Sequence, residues 1–374
     1  MFKPTFAIVA FVIALTGALA APPKQAQAQP QIEVCFVLDT TGSMGGLIEG
    51  AKAKIWSIAN QMIAANPRPR LRVSLIAYRD RGDQYVTRVH DLSDDLDAVY
   101  ARLRDFRADG GGDTPESVNQ ALHEALTRVT WSAEPSVYKT IFLVGDCPPH
   151  MDYAGDVKYP ETCQAAARKG IIINTVQCGN EAETTPVWRA ISDLAEGRFV
   201  AIEQSGEMQV VTTPVDGELA RLNREIGTTI VAYGDAPAQA MVRAKQVAAE
   251  AAPASAAADR LSYNRATGKV VQGGGDLVDE VASGAVDVSD LKKDQLPAEM
   301  QKMTVAEREA YVKDQAARRA KIQAEIDQLL AKRKAYVEEQ LKAGGPKDSF
   351  DAQVESIIRA QAERKGIHYP TSPK

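Results

Sequence analysis

The chain has few of the residues that usually mark a catalytic or redox centre. It contains four cysteines and four histidines in 374 residues. Cys35, Cys147, Cys163 and Cys178 are not spaced as a zinc ribbon or a CxxC redox pair. No two histidines stand at the spacing that puts two ligands on one helix face. No Walker lysine follows the glycine runs, which disfavours a nucleotide-phosphate loop, and there is no G-x-S-x-G nucleophile elbow. Charge of one sign is lacking too. The 44 Lys and Arg against 49 Asp and Glu leave a net charge of -5, which gives no reason to expect a nucleic-acid partner. After the N-terminal stretch no second long apolar run appears, so no further membrane span is expected.

What is present begins with an export signal. Lys3 supplies a positive start, "FAIVAFVIALTGALAA" an apolar core, and Ala18-Leu19-Ala20 and Ala26-Gln27-Ala28 both fit small-x-small cleavage. We expect residues 1–28 to be a signal peptide and the product to be periplasmic or secreted. The alternative is an uncleaved anchor, although the run is short for a span.

From Gln31 to about Ile202 apolar runs alternate with amphipathic stretches. "IEVCFVL", "KTIFLVG" and "IIINTVQ" read as parallel strands buried on both faces. "LRVSLIAY" and "YVTRVHDL", joined by the short turn "RDRGD", read as an antiparallel pair. The expected fold is α/β, a doubly wound and mostly parallel sheet with one antiparallel edge strand, followed by an α-helical C-terminal region. We place the α/β domain at 29–232, an alanine-rich linker and irregular region at 233–300, and a helical hairpin at 301–374. In the last part Thr304 and Glu307 form a capping box, and Ile322, Ile326, Leu329 and Tyr336 form a coiled-coil-like stripe interrupted by Arg333.

Open α/β sheets bind ligands beyond the carboxyl ends of their strands. Three loops fall there: "DTTGS", "GGGDT" and "GDCPPH". Asp39, Thr41, Ser43, Thr114 and Asp146 offer hard oxygen donors of the kind that suit Mg²⁺, Mn²⁺ or Ca²⁺. Each has a plainer reading. Ser43 and Thr114 can cap helices, and Asp39 can close a side-chain turn. Capping does not explain why all three loops converge.

On these residues the chain resembles von Willebrand factor type A domains that carry a metal-ion-dependent adhesion site. Their motif is D-x-S-x-S, then a distant threonine and a distant aspartate. Here Thr41 replaces the first serine and keeps its hydroxyl. "YRDRGDQY", "GGGDTPESV" and "LVGDCPPHMD" look like an exported bacterial branch. The resemblance covers roughly 31–232. It implies that Thr41 and Ser43 coordinate directly, that Asp39 and Asp146 act mainly through water, and that Thr114 joins when a ligand is bound. It also implies a protein partner that presents an Asp or Glu carboxylate to the open metal position, without catalysis.

Other readings are weaker. An Asp after a buried strand also opens the D-x-D-x-T phosphatases, but position 41 is Thr and the second carboxylate is missing. Cys147, His150 and Asp152 could make a softer metal site, or simply an ordinary loop. Arg81–Asp83 spells RGD, which as a charged turn needs no integrin. Cys163 and Cys178 lie at the same end of the sheet, so a Cys163–Cys178 disulfide is expected, with Cys147–Cys178 as the alternative and Cys35 left buried. The function expected is divalent-cation-dependent protein binding. The alternatives are an assembly protein that works through its C-terminal helices, or a metal-dependent hydrolase.

Overall fold

The computed structural model describes residues 29–112, 114–342 and 349–370. The expected signal peptide at 1–28, and the "GGP" stop after the long helix, lie outside the described residues. No helix among them is long and apolar enough to cross a membrane.

A six-stranded sheet runs in the order β3-β2-β1-β4-β5-β6. Its strands are β1 (Gln31–Asp39), β2 (Arg70–Tyr78), β3 (Thr87–Ser93), β4 (Tyr138–Gly145), β5 (Ile171–Cys178) and β6 (Phe199–Ile202). Only β3 is antiparallel to its neighbour. Side chains alternate across a strand, so each strand feeds two cores. Ile32, Val34, Phe36 and Leu38 of β1 enter one core; Cys35 and Val37 enter the other. The first face is covered by α1 (Gly45–Met62) and α2 (Leu96–Asp105). The second is covered by α3 (Val118–Thr127), α4 (Tyr159–Arg168) and α5 (Thr184–Leu194).

The next helices are α6 (Asp216–Gly227), α7 (Ala236–Glu250), α8 (Ala254–Thr267) and α9 (Leu277–Ala282), then α10 (Val305–Lys342) and α11 (Phe350–Ala362). The stretch read as an alanine-rich linker therefore forms two docked helices. Asp235 caps α7 by accepting the Ala238 N–H at 2.9 Å. The small side chains of Ala256, Ala257 and Ala258 are fully buried, and Tyr263 of α8 packs edge-on against Trp56 of α1. Arg260 of α8 reaches Asp97 of α2 through two hydrogen bonds of 2.6 and 3.0 Å.

The expected capping box of α10 forms: Glu307 Oε2 accepts the Thr304 N–H at 2.7 Å, and Thr304 Oγ1 accepts the Glu307 N–H at 3.3 Å. The expected hairpin does not. α10 lies with α6, α8 and α9, burying Ile322 and Ile326 beside Leu219, Leu222 and Ile226. α11 instead joins the first face of the sheet. Phe350, Val354, Ile357 and Ile358 are buried in that core, and the Phe350 ring lies 6.3 Å from Phe36. Gln361 donates to Asn174 Oδ1 at 2.8 Å and accepts from the Tyr138 hydroxyl at 2.7 Å. Those four apolar side chains represent on the order of 10 kcal/mol of gross burial, an upper bound.

The candidate rim site

β1 ends at Asp39, and the chain turns at once into a short helical turn, Gly42–Met44, before α1. The turn is fixed by the Asp39 carboxylate. Its Oδ1 accepts the Thr41 N–H at 2.8 Å and the Thr41 hydroxyl at 2.7 Å. This sets the Thr41 and Ser43 hydroxyls 3.4 Å apart. Gly145 at the end of β4 lets the neighbouring strand come close, since a Cβ there would collide with the Tyr78 hydroxyl and lie 2.9 Å from Asp39 Cβ. Asp146 follows. The main chain around it is held from α5, with Thr184 donating to Asp146 O at 2.8 Å and the Trp188 indole to Cys147 O at 3.1 Å.

The glycine-rich loop forms the third wall. Gly42 N–H donates to Gly110 O at 3.1 Å. Asp83, the last residue of the RGD turn, accepts the Gly111 N–H at 3.2 Å. Gly110 and Gly111 both have φ near +78°, a conformation glycine adopts without penalty. Arg81 is held against Asp156 at 2.5 Å and over the Tyr153 ring at 4.0 Å. Both side chains of the RGD turn, Arg81 and Asp83, are thus engaged in bracing the loops.

An open cavity of about 510 Å³ results, lined by Thr41, Ser43, Thr114, Glu116, Asp146 and Gln204 among others. Asp39 lies buried beneath Thr41. The five oxygen-bearing residues expected from the sequence fall on the three loops that converge at this end of the sheet. Thr114 is exposed and stands ahead of α3, which begins only at Val118 with Ser117 at its cap position. Its plainer role as a helix cap is thereby removed.

The electrostatics are unusual for a buried site. Asp39 Oδ2, Asp146 Oδ1 and Glu116 Oε2 are buried and have no hydrogen-bond partner among the described residues, whereas buried acceptors are nearly always satisfied. Burial pushes the Asp39 carboxyl up to about 7, with the Asp146 charge adding to it and the Thr41 hydrogen bonds opposing. Burial, then the charges of Asp39, Asp80, Asp83 and Asp146, push Glu116 up to about 9. The nearby buried Arg79 does not neutralise them directly. Its Nε and Nη2 donate to the carbonyls of Thr40 at 3.1 Å and Arg107 at 2.8 Å. Asp146 Oδ2 accepts from the neutral Gln204 amide at 2.8 Å.

Glu116 was not anticipated. Two residues after Thr114, it reads as an ordinary acid in a helix's first turn, and only the late start of α3 turns it to the cavity. The residues fit a hard cation. The donors are carboxylate and hydroxyl oxygens, and the unpartnered oxygens need positive charge. No three His, Cys, Asp or Glu side chains among the described residues form a metal-ligating group, so an ion at the rim would need the threonine and serine hydroxyls.

The softer site does not assemble, and one expectation fails. His150 does not join Cys147 in a softer site. Its Nδ1 pairs with Asp152 at 2.8 Å, its Nε2 faces Asp80 at 3.4 Å, and its ring stacks on Tyr153. All four cysteines are free thiols, so neither Cys163–Cys178 nor Cys147–Cys178 forms. Cys163 packs in the core on one face of the sheet and Cys178 in the core on the other. The sheet itself separates them.

Residues 33–190, a stretch running from β1 into α5, match the family model described as von Willebrand factor A domain. A putative ariadne-like RING finger protein of Acanthamoeba polyphaga mimivirus is 24% identical over 203 residues, 50% of this chain and 20% of that protein. Human von Willebrand factor A domain-containing protein 7 is 35% identical over 97 residues, 26% of this chain and 10% of that protein. The chain thus spans a fifth or less of the length of these relatives. Among solved structures, the conserved hypothetical protein BatB from Bacteroides thetaiotaomicron is 16% identical, covering 46% of this chain and 90% of that one, with a TM-score of 0.35. The SpRpn10 VWA domain is 15% identical, covering 49% and 100%, with a TM-score of 0.36.

Proposed function

We propose that this protein is exported and binds a protein partner through a divalent cation, Mg²⁺ or else Mn²⁺ or Ca²⁺, held at the rim. One observation carries the reading. Asp39 Oδ2 and Asp146 Oδ1 are buried without partners beside a cavity walled by hydroxyls. Thr41 and Ser43 would hold the ion, with Asp39, Asp146 and Thr114 around them. The ion would supply the positive charge that receives a partner's Asp or Glu side chain. Hydroxyl ligands are neutral, so the ion would keep attraction for that carboxylate. The chain's own residues set the geometry: Asp39 orients Thr41, and Gln204 steadies Asp146. No nucleophile or general acid–base pair is assigned, and the reading is of a binding protein, not an enzyme.

Titration calorimetry with Mg²⁺ and Mn²⁺ tests the ion. Binding should be lost in Asp39→Ala, and equal binding by wild type and variant would sink the assignment. Capture of a partner from envelope extract should require the ion and cease in chelator. Capture that persists in chelator, and is retained by Asp39→Ala, would move the binding surface to the C-terminal helices.

A further inference from the structure

At the end of the sheet opposite the rim, where β4 and β5 begin, lies an open groove of about 820 Å³, a volume typical of ligand sites. Its walls are the C-terminal ends of α3 and α4, the loop 130–135 and Lys365 after α11. Four cations line it, Lys139, Arg168, Lys169 and Lys365, and no acid does.

Lys139 is the informative one. It is the second residue of β4 and only 5% exposed, which is rare for an unpaired lysine. Its Nζ donates to Ser132 O at 3.0 Å. An ammonium has three donors. The neighbouring Glu33 is already committed to Arg72 at 2.6 Å, to the Ser132 hydroxyl at 2.5 Å and to the Ser132 N–H at 2.9 Å. Burial lowers the Lys139 pKa, with the Glu33 charge opposing and Lys365 adding. Lys169 and Lys365 donate to the carbonyls of Leu126 at 3.3 Å and Pro135 at 2.9 Å. Among the described residues none of the four cations forms an ion pair. Capping of carbonyls at helix ends accounts for part of this arrangement, but not for a buried cation at an open groove. The remaining wall is apolar, with Leu126, Val129, Trp131 and Pro135.

We infer that this groove is a docking site for an acidic polypeptide segment, whose carboxylates pair with Lys139, Arg168, Lys169 and Lys365 while an apolar side chain lies against Trp131. The apolar wall is what favours a peptide over a bare polyanion. The inference is independent of the cation proposed at the rim.

The chain has three tryptophans. Trp56 and Trp188 are fully buried and Trp131 is half-buried, so protection of tryptophan emission from acrylamide reports on the groove. The full chain should be titrated with a short labelled peptide of glutamates around a central phenylalanine, with the lysine counterpart as control and inorganic polyphosphate in parallel. The glutamate peptide should bind and protect Trp131, and the lysine peptide should not. Lys139→Met should weaken binding by about tenfold. The combined Arg168→Ala, Lys169→Ala and Lys365→Ala variant alters only exposed side chains and should weaken it by at least as much. Equal binding by wild type and the combined variant overturns the proposal. So does capture of polyphosphate with no measurable binding of the acidic peptide.

Discussion

Two buried aspartates in this chain have opposite surroundings. Asp97, in the first turn of α2, is satisfied on both oxygens. Arg260 reaches each of them, and the Gln272 N–H adds a bond of 2.9 Å to Oδ2. Asp39 is equally buried, yet one oxygen is used twice and the other not at all. The same contrast recurs across the molecule. Arg319 meets Asp276 at 2.7 Å and Arg333 meets Asp216 at 2.9 Å, so carboxylates at the junction with the C-terminal half find their cation within the chain. Those at the rim do not. A buried charge without a counter-charge is costly, and among these carboxylates the ones at the rim bear that cost while those at the junction do not.

Substitutions can break this contrast. The largest effect should come from Arg260→Met, which strands Asp97 and should cost about 3–5 kcal/mol in urea denaturation. A loss below about 1 kcal/mol would show that Asp97 tolerates isolation and would erase the comparison. Asp39→Asn should act in the opposite direction. In chelator it removes an uncompensated charge, so the melting temperature should rise, while the further rise on adding Mg²⁺ should vanish. A lower melting temperature in chelator would count against the reading of Asp39 as a waiting ligand. Glu116→Gln should leave the fold intact and weaken Mg²⁺ binding by roughly tenfold, about 1.4 kcal/mol, as measured by calorimetry. Unchanged affinity would make Glu116 a bystander. The smallest effect on the ion is expected from Thr114→Ala, since Thr41 and Ser43 remain. Mg²⁺ affinity should hold within a few fold while partner capture weakens, and wild-type capture would remove Thr114 from the site.

Much of the α/β half could be read directly. Continuous apolar runs such as "IEVCFVL" have one physical explanation, a strand covered on both faces, and β-to-α turns at the strand ends then fix where a site can be. The rim residues followed because oxygen-bearing side chains at alternate positions serve little purpose on a buried strand's exit. Other features were hidden for identifiable reasons. Alanine gives weak contrast between buried and exposed faces, so α7 and α8 read as a linker. Amphipathicity marked the inner face of α11 but carries no record of which surface it meets. The cysteine pairing failed because shared proximity to one end of a sheet says nothing about faces. Cys178 shares the alternation of Asn174 and Val176, which point toward α1 and α11, whereas α4 packs on the other side. Glu116 stayed hidden because a helix start displaced by three residues, from Pro115 to Val118, changes which side chains face a cavity.

The position of α11 has a consequence for biosynthesis. The first face of the sheet is sealed by residues 350–362, made some 150 residues after β6. A ribosome delivers β1 through β6 long before the helix that closes over Phe36 and Tyr138 exists. Until then the nascent chain exposes an apolar sheet face, a surface suited to chaperones and unsuited to stable collapse. Completion of the domain is therefore timed by synthesis of the last helix.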